Sequence, residues 1–164
     1  MSESSPISLA RVYQGWGHYQ DLLVQAVTPL SSEQLGWRAA ADLRSAGELV
    51  THILACRARW LYYVLNEGEP ILADLGWWDR PDAALRSASE LVSGLETTWQ
   101  VIANGLERWT IADLETVFQD KEEDGTVETY TRQWLLWHLL EHDLHHGGEF
   151  SFVLGMHGIA GLDL

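Results

Sequence analysis

Apolar residues recur along this chain at spacings of three and four, the repeat of one helix face, in four long stretches. The first covers 7–27, where Leu9, Val12, Tyr13, Trp16, Tyr19, Leu23 and Val27 form a stripe. Ser5 or Ser8 is placed to cap it and Pro29 to close it. Gly15 and Gly17 weaken its interior, because glycine costs ~1 kcal/mol inside a helix. The second covers 45–66, with Leu49, Ile53, Cys56, Trp60 and Val64 inward and Gly68 and Pro70 beyond its end. The third covers 82–106, with Leu85, Leu91, Val92, Leu95, Trp99 and Ile102 inward. The fourth covers 131–156, with Gly155 and Gly158 near its end.

The intervening segments read differently. Residues 28–44 are a connection in which Ser31, Ser32 and Glu33 suit a short capped turn. GWWDRPD at 76–82 is a loop. In 109–129, LETVFQ and TVETYT flank DKEEDG, a pattern for a short β-hairpin within 114–130. Four amphipathic helices in 164 residues predict an all-α protein, an antiparallel four-helix bundle forming one domain over 1–164, with that hairpin before the last helix.

Composition narrows the partners. Hydrophobic residues make up 46% of the chain, enough for a sizeable core. The formal net charge of -14 repels phosphate backbones, and no basic patch stands out, so nucleic acid is not expected as a partner. Cys56 is the single cysteine, which excludes an intrachain disulfide and fits a reducing compartment. The opening MSESSPISLA lacks the basic start and apolar run of a signal peptide, and no stretch nears the ~20 apolar residues that span a bilayer. A soluble cytoplasmic protein without a membrane partner is expected. Nine tryptophans on a chain of this size suggest that some rings are hidden in a symmetric homodimer.

The candidate chemistry is imidazole. Four of the seven histidines fall in WHLLEHDLHHGGE, at 138, 142, 145 and 146. At ~100° per residue, with His138 at zero, His142 falls near ~40°, His146 near ~80° and His145 near ~-20°. Leu135 and Val153 fall near ~60° and Leu139 near ~100°, which centres the apolar side between His142 and His146. These two rings stand one turn apart, the spacing by which two imidazoles of one helix reach one ion. Without such a partner, two inward imidazoles would leave polar nitrogens unsatisfied. A third ligand should come from a facing helix, and His52 lies among Leu49, Ile53, Cys56 and Trp60 on the inward side of the second helix. A lone inward histidine is more often a hydrogen-bonded core residue; the pair at 142 and 146 reverses that reading for His52. Glu149, near ~20° on the same wheel, is a fourth ligand, a partner orienting a ligand, or a catalytic acid/base, against the plain alternative of a solvated glutamate. Cys56, one turn after His52, could offer a thiolate, although a lone cysteine is more often a small buried hydrophobe. His18 and His157 lie nearer helix irregularities and are weaker candidates.

SAGELVTHILACRARW in the second helix and WLLWHLLEHDLHHGGE in the fourth resemble the DinB-like superfamily, also called the YfiT-like metal-dependent hydrolases, and the resemblance covers nearly the whole chain. In that family one histidine comes from the second helix and two from a motif of the form H-x-x-x-H-R-G-Q; His52, His142 and His146 match those positions. GWRAAADLRSAGEL also looks like the family's approach to its second helix. The chain departs from the pattern after His146, with Gly147-Gly148-Glu149 in place of Arg-Gly-Gln. The resemblance implies a four-helix bundle, often dimeric, that holds a Zn- or Ni-type divalent ion on three imidazoles. It implies a small metal-dependent enzyme, either a hydrolase or a thiol-S-transferase with a low-molecular-weight thiol as cosubstrate and a further small-molecule substrate. A non-catalytic metal-binding or stress-related interaction module is the alternative that the Gly147 and Glu149 departures favour.

Overall fold

The computed structural model describes residues 8–121 and 124–163. Side chains that intercept free backbone N–H groups set where most helices begin. Ser8 caps α1 (Leu9–Val12) by accepting from the Arg11 N–H; the alternative cap, Ser5, lies outside the described residues. Reciprocal capping boxes of Ser31 with Gln34, Ser45 with Glu48 and Ser87 with Glu90 open α3 (Ser32–Leu35), α4 (Ala46–Arg59) and α6 (Ala88–Arg108). Thr131 caps α7 (Arg132–Met156). With α2 (Gln14–Val27) and α5 (Ile71–Leu75), these make seven α-helices among the described residues.

Three of the predicted helices differ in detail from what the periodicity implies. The first helix is not continuous: Tyr13 leaves helical dihedrals at φ -100°, ψ 19° and separates α1 from α2, just before the weak Gly15 and Gly17. Val12, expected inward, is 63% exposed as a result. The second helix reaches the expected end, but its last turn, Trp60–Val64, is a π-helix in which the Leu65 N–H donates to the Trp60 carbonyl. Asn66 then turns the chain with a φ of +53°. The third helix starts at Ala88 rather than at 82, because the Ser87–Glu90 box claims the N–H groups that an earlier start would bury in helix. Leu85 is consequently exposed.

The four long helices, α2, α4, α6 and α7, supply most of the core. α4 packs on both α6 and α7, and α2 packs on α6. Leu23, Ile53, Leu54, Leu95, Ile102, Leu135, Leu139 and Phe150 are fully buried, each worth roughly 1.5–3 kcal/mol of transfer free energy. The expected hairpin is present as β1 (Val117–Lys121) antiparallel to β2 (Val127–Thr131), with Val117 opposite Thr131. It anchors the start of α7: the Arg132 N–H donates to the Thr116 carbonyl at 2.9 Å. The Arg132 guanidinium lies between the rings of Trp109 and Phe118 and donates to the Asp113 carbonyl. The protein is thus mostly helical with one small sheet among the described residues. No described helix is long and apolar enough to cross a membrane.

Candidate metal centre

Where α4 packs against α7, His52 meets His142 and His146, and one nitrogen of each ring lies within 4.8 Å of the others. The ring centroids are 4.8 Å apart for His52 and His142, 4.7 Å for His52 and His146, and 4.4 Å for His142 and His146. His52 Nε2 and His142 Nε2 face each other at 3.2 Å. All three rings are half-buried.

The outer nitrogens of two rings are tied to carboxylates. His52 Nδ1 lies 2.8 Å from Asp79 Oδ2, and His146 Nδ1 lies 2.7 Å from Glu149 Oε2. Burial pushes the Asp79 carboxyl up, but hydrogen bonds from His52 and Arg59 and the charge of Arg59 outweigh it and hold the group well below the ordinary carboxylate range. Asp79 is therefore an acceptor and His52 Nδ1 donates to it, which leaves Nε2 as the ring nitrogen available to a metal. Arg59 fixes Asp79 in turn, reaching its two oxygens at 2.7 and 3.1 Å and the Gly76 carbonyl at 2.6 Å. His146 is arranged alike: its Nδ1 donates outward and its lone pair is on the inner nitrogen.

His142 completes the case that the residues fit a divalent ion. Burial, then the neighbouring imidazoles, push its pKa down to about 3, so the ring is neutral. Its Nδ1 is buried without a hydrogen-bond partner among the described residues. If His142 Nε2 donates to the His52 Nε2 lone pair, its own Nδ1 lone pair is left unanswered; if it turns a lone pair inward instead, a cation between the rings would answer the inner nitrogens together. An all-nitrogen donor set suits Zn or Ni over Mg or Ca, and carboxylates on the far nitrogens orient metal-binding imidazoles in many sites.

The other candidates are placed elsewhere. His145 is 67% exposed on the outer side of the helix, as its wheel position predicts. With His146 and Glu149 it forms a second, more exposed group. His138 stacks on Trp134 at 5.0 Å and meets Trp60 edge-on, outside the three-ring group. His18 is exposed, and His157 stacks on Trp37. Cys56 is buried, and burial pushes its thiol up to about 12, so it stays a neutral small hydrophobe outside the histidine group.

One expectation needs correction. The buried face of α7 carries Leu135, Leu136, Leu139, Asp143, Gly147, Phe150, Val153 and Leu154, and centres near ~120° on the same wheel, ~60° beyond the predicted centre. The histidines therefore flank the core and face a cleft, and the middle of the face belongs to Asp143. That residue, which the sequence pattern does not single out, is fully buried. It accepts from Arg57 Nη2 at 2.7 Å and Trp16 Nε1 at 2.6 Å, while Arg57 Nη1 donates to Gln20. Sequence reasoning also missed Asp79 and Arg59. Their signal was weak: an aspartate in a loop read as connection, and an arginine one residue before the π turn.

A family model for the DinB superfamily matches residues 18–150, a span that includes all three histidines. The chain belongs to the DinB superfamily. The fold agrees. The crystal structure of a DinB-like protein from Bacillus cereus ATCC 10987 superposes with a TM-score of 0.70 at 18% identity, covering 96% of this chain and 97% of that one. A DinB-like protein of Bacillus subtilis, YjoA, superposes with a TM-score of 0.60 at 19% identity, covering 92% of this chain and 96% of that one. No curated protein matches the sequence. The structure also accounts for the departure at Gly147 from the arginine of the DinB-like motif. A Cβ there would lie 1.9 Å from the Tyr19 hydroxyl, which sits over the helix and donates to the Asp143 carbonyl. With the Tyr19 ring in this position, nothing larger than glycine fits.

Proposed function

We propose that this DinB-superfamily chain is a small metal-dependent enzyme, of the thiol-S-transferase or hydrolase type, whose metal ligands are His52, His142 and His146. On this reading α2, α4, α6 and α7 form the family's antiparallel four-helix bundle, and the site lies at its α4–α7 seam. The observation that carries it is the convergence of three ring nitrogens within 4.8 Å, with no cysteine or carboxylate completing the group among the described residues. Structural zinc sites are closed by a fourth side chain, whereas catalytic sites keep a position open. A Zn- or Ni-type ion bound there would supply Lewis acidity to the oxygen or sulfur that takes the remaining position.

The chain's own residues do the rest. Arg59 holds Asp79, Asp79 holds the His52 tautomer, and Glu149 orients His146. Trp60 and Trp134 wall one side through His138. A low-molecular-weight thiol is the proposed cosubstrate. The exposed Val12, Trp137 and Leu144 are assigned to a homodimer face, and sedimentation showing only monomer at high micromolar concentration would remove that assignment.

The test of the main reading begins with metal analysis of untagged protein. Roughly stoichiometric Zn or Ni, removed by chelation, is expected. Metal-loaded protein should then turn over electrophiles with a thiol, or hydrolyse esters or amides, and lose that activity on chelation. Protein that binds no divalent ion sinks the reading. Bound metal without either activity leaves a metal-binding module in its place.

A further inference from the structure

Next to the carboxylates that hold His52 and His146 lies a cleft of two lobes with a shared wall, the Asp42, Leu43 and Arg44 segment. One lobe, of about 230 Å³, is lined by Arg38, Arg44 and Arg80 and reaches Asp79, the carboxylate that holds His52. The other, of about 690 Å³, is lined by Leu43, Leu49, Phe152 and Val153 and reaches Glu149, the partner of His146. Together they match the volume of ordinary small-molecule sites.

The first lobe is lined by three arginines and three acids, but they are not paired one to one. Its wall carries Asp42, Glu48 and Asp79. Glu48 is paired with Arg38 at 2.8 Å, and Asp79 with Arg59 at 2.7 Å. Asp42 then stands against two guanidiniums, Arg44 and Arg80. Neither makes an ion pair among the described residues, although Arg80 stacks over Trp77 at 3.9 Å. In a chain with 24 acidic and 10 basic residues, two exposed arginines that share a lobe with one acid, Asp42, and form no ion pair with it are open to an outside anion. Guanidiniums left free in this way bind carboxylates through paired, charge-assisted hydrogen bonds. The second lobe offers the opposite chemistry: Leu43 and Phe152 are largely exposed although apolar.

We propose that this cleft binds a small amphipathic organic anion, with its acid group between Arg44 and Arg80 and its apolar body on Leu43, Leu49 and Phe152. The binding stands on the cleft alone; its use as the substrate subsite rests on the metal-dependent reading above.

Calorimetric titration with 4-phenylbutyrate and its neutral analogue 4-phenylbutanol tests it, on metal-loaded and chelator-stripped protein. The acid should bind about tenfold tighter than the alcohol in both forms. A variant carrying Arg44→Gln and Arg80→Gln should bind the two probes alike, with an unchanged circular dichroism spectrum. Phe152→Ser should weaken both probes equally. Equal affinity in the unmodified protein, undetectable binding, or a preference that survives the double substitution would overturn the proposal. A preference seen only in the metal-loaded form would place the acid on the ion and overturn the arginine assignment. If the protein binds no metal at all, the acid preference is still expected, so the two readings fail separately.

Discussion

His142 and Asp143 are neighbours on α7, and each faces polar groups from α4, but the two regions are built on opposite terms. Around Asp143 every charge has a partner: Arg57 is fully buried with its guanidinium on Asp143 and Gln20, and Trp16 donates its indole N–H to the same carboxylate. That network joins α2, α4 and α7. One residue earlier, His142 keeps a buried nitrogen with no partner, and three imidazoles face one another across a cleft. A satisfied polar cluster fixes helices; an unsatisfied one of this kind is completed from outside. The contrast separates scaffold from site more clearly than burial does.

The largest expected effect is on the satisfied side. Asp143→Ala leaves the Arg57 charge buried without its carboxylate, and should destabilise the fold by roughly 3–5 kcal/mol in urea unfolding. Replacing both partners with apolar residues of similar volume, Arg57→Met with Asp143→Leu, should recover much of that loss. Recovery of nothing would mean that the pair is more than scaffold, and the comparison would break there.

On the unsatisfied side the loss should appear in metal and not in fold. His52→Ala and His146→Ala, though far apart in sequence, should each weaken Zn or Ni binding by more than the ~100-fold that removing an orienting partner can cost. His145→Ala, whose ring points to solvent, should leave it unchanged. A dye-competition titration reads all three. Loss with His145→Ala and retention with His146→Ala would reverse the assigned face of α7.

The contrast also explains what could be read in advance. The trio was legible because i, i+4 spacing survives in sequence, and the boundaries of α7 because Thr131 is a cap followed by unbroken periodicity. Asp143 was not legible: nothing in the local pattern singles out an aspartate between histidines until Arg57, 86 positions away, is seen against it. The predicted core face was displaced because Leu136 and Leu154, both near ~160° on the wheel, were left out of it; Asp143, near ~140°, lies beside them. Asp79 was hidden in the same way, its role depending on Arg59 and His52 meeting it through the fold. The start of α6 was readable after all, from the Ser87–Glu90 box that periodicity overrode.

The two regions should fail at opposite ends of the pH scale. Burial, then the charge of Asp143, pushes the Tyr19 phenol from 10.0 up to about 12. The folded phenol keeps its proton where the unfolded one loses it, so this stability is complete below about pH 10 and drains away between about 10 and 12. Tyr19→Phe should flatten that slope. His142 has the reverse sign. Its unfolded ring takes a proton below 6.5 and its folded ring only near about 3, so chelator-stripped protein should lose stability as pH falls through that interval. Thermal melts across pH, with and without chelator, check both limbs. An acid limb unaffected by His142→Phe would show that the ring is not held neutral by the fold.

The smallest effect is expected at Glu149, where the chain departs from the glutamine of the DinB-like motif. Glu149 Oε2 accepts from His146 Nδ1, and a glutamine carbonyl oxygen could accept the same hydrogen bond. The residue is also 47% exposed, so water screens much of what its charge adds. Glu149→Gln should therefore change metal affinity by less than the ~10-fold at the low end for orienting partners. Asp79→Asn, which disturbs a carboxylate shared by His52 and Arg59, should cost more. A loss beyond ~100-fold on Glu149→Gln would make the carboxylate a ligand in its own right. Unchanged metal affinity combined with abolished turnover would instead give Glu149 the proton-transfer role, because the amide keeps the hydrogen bond to His146 and cannot carry the proton.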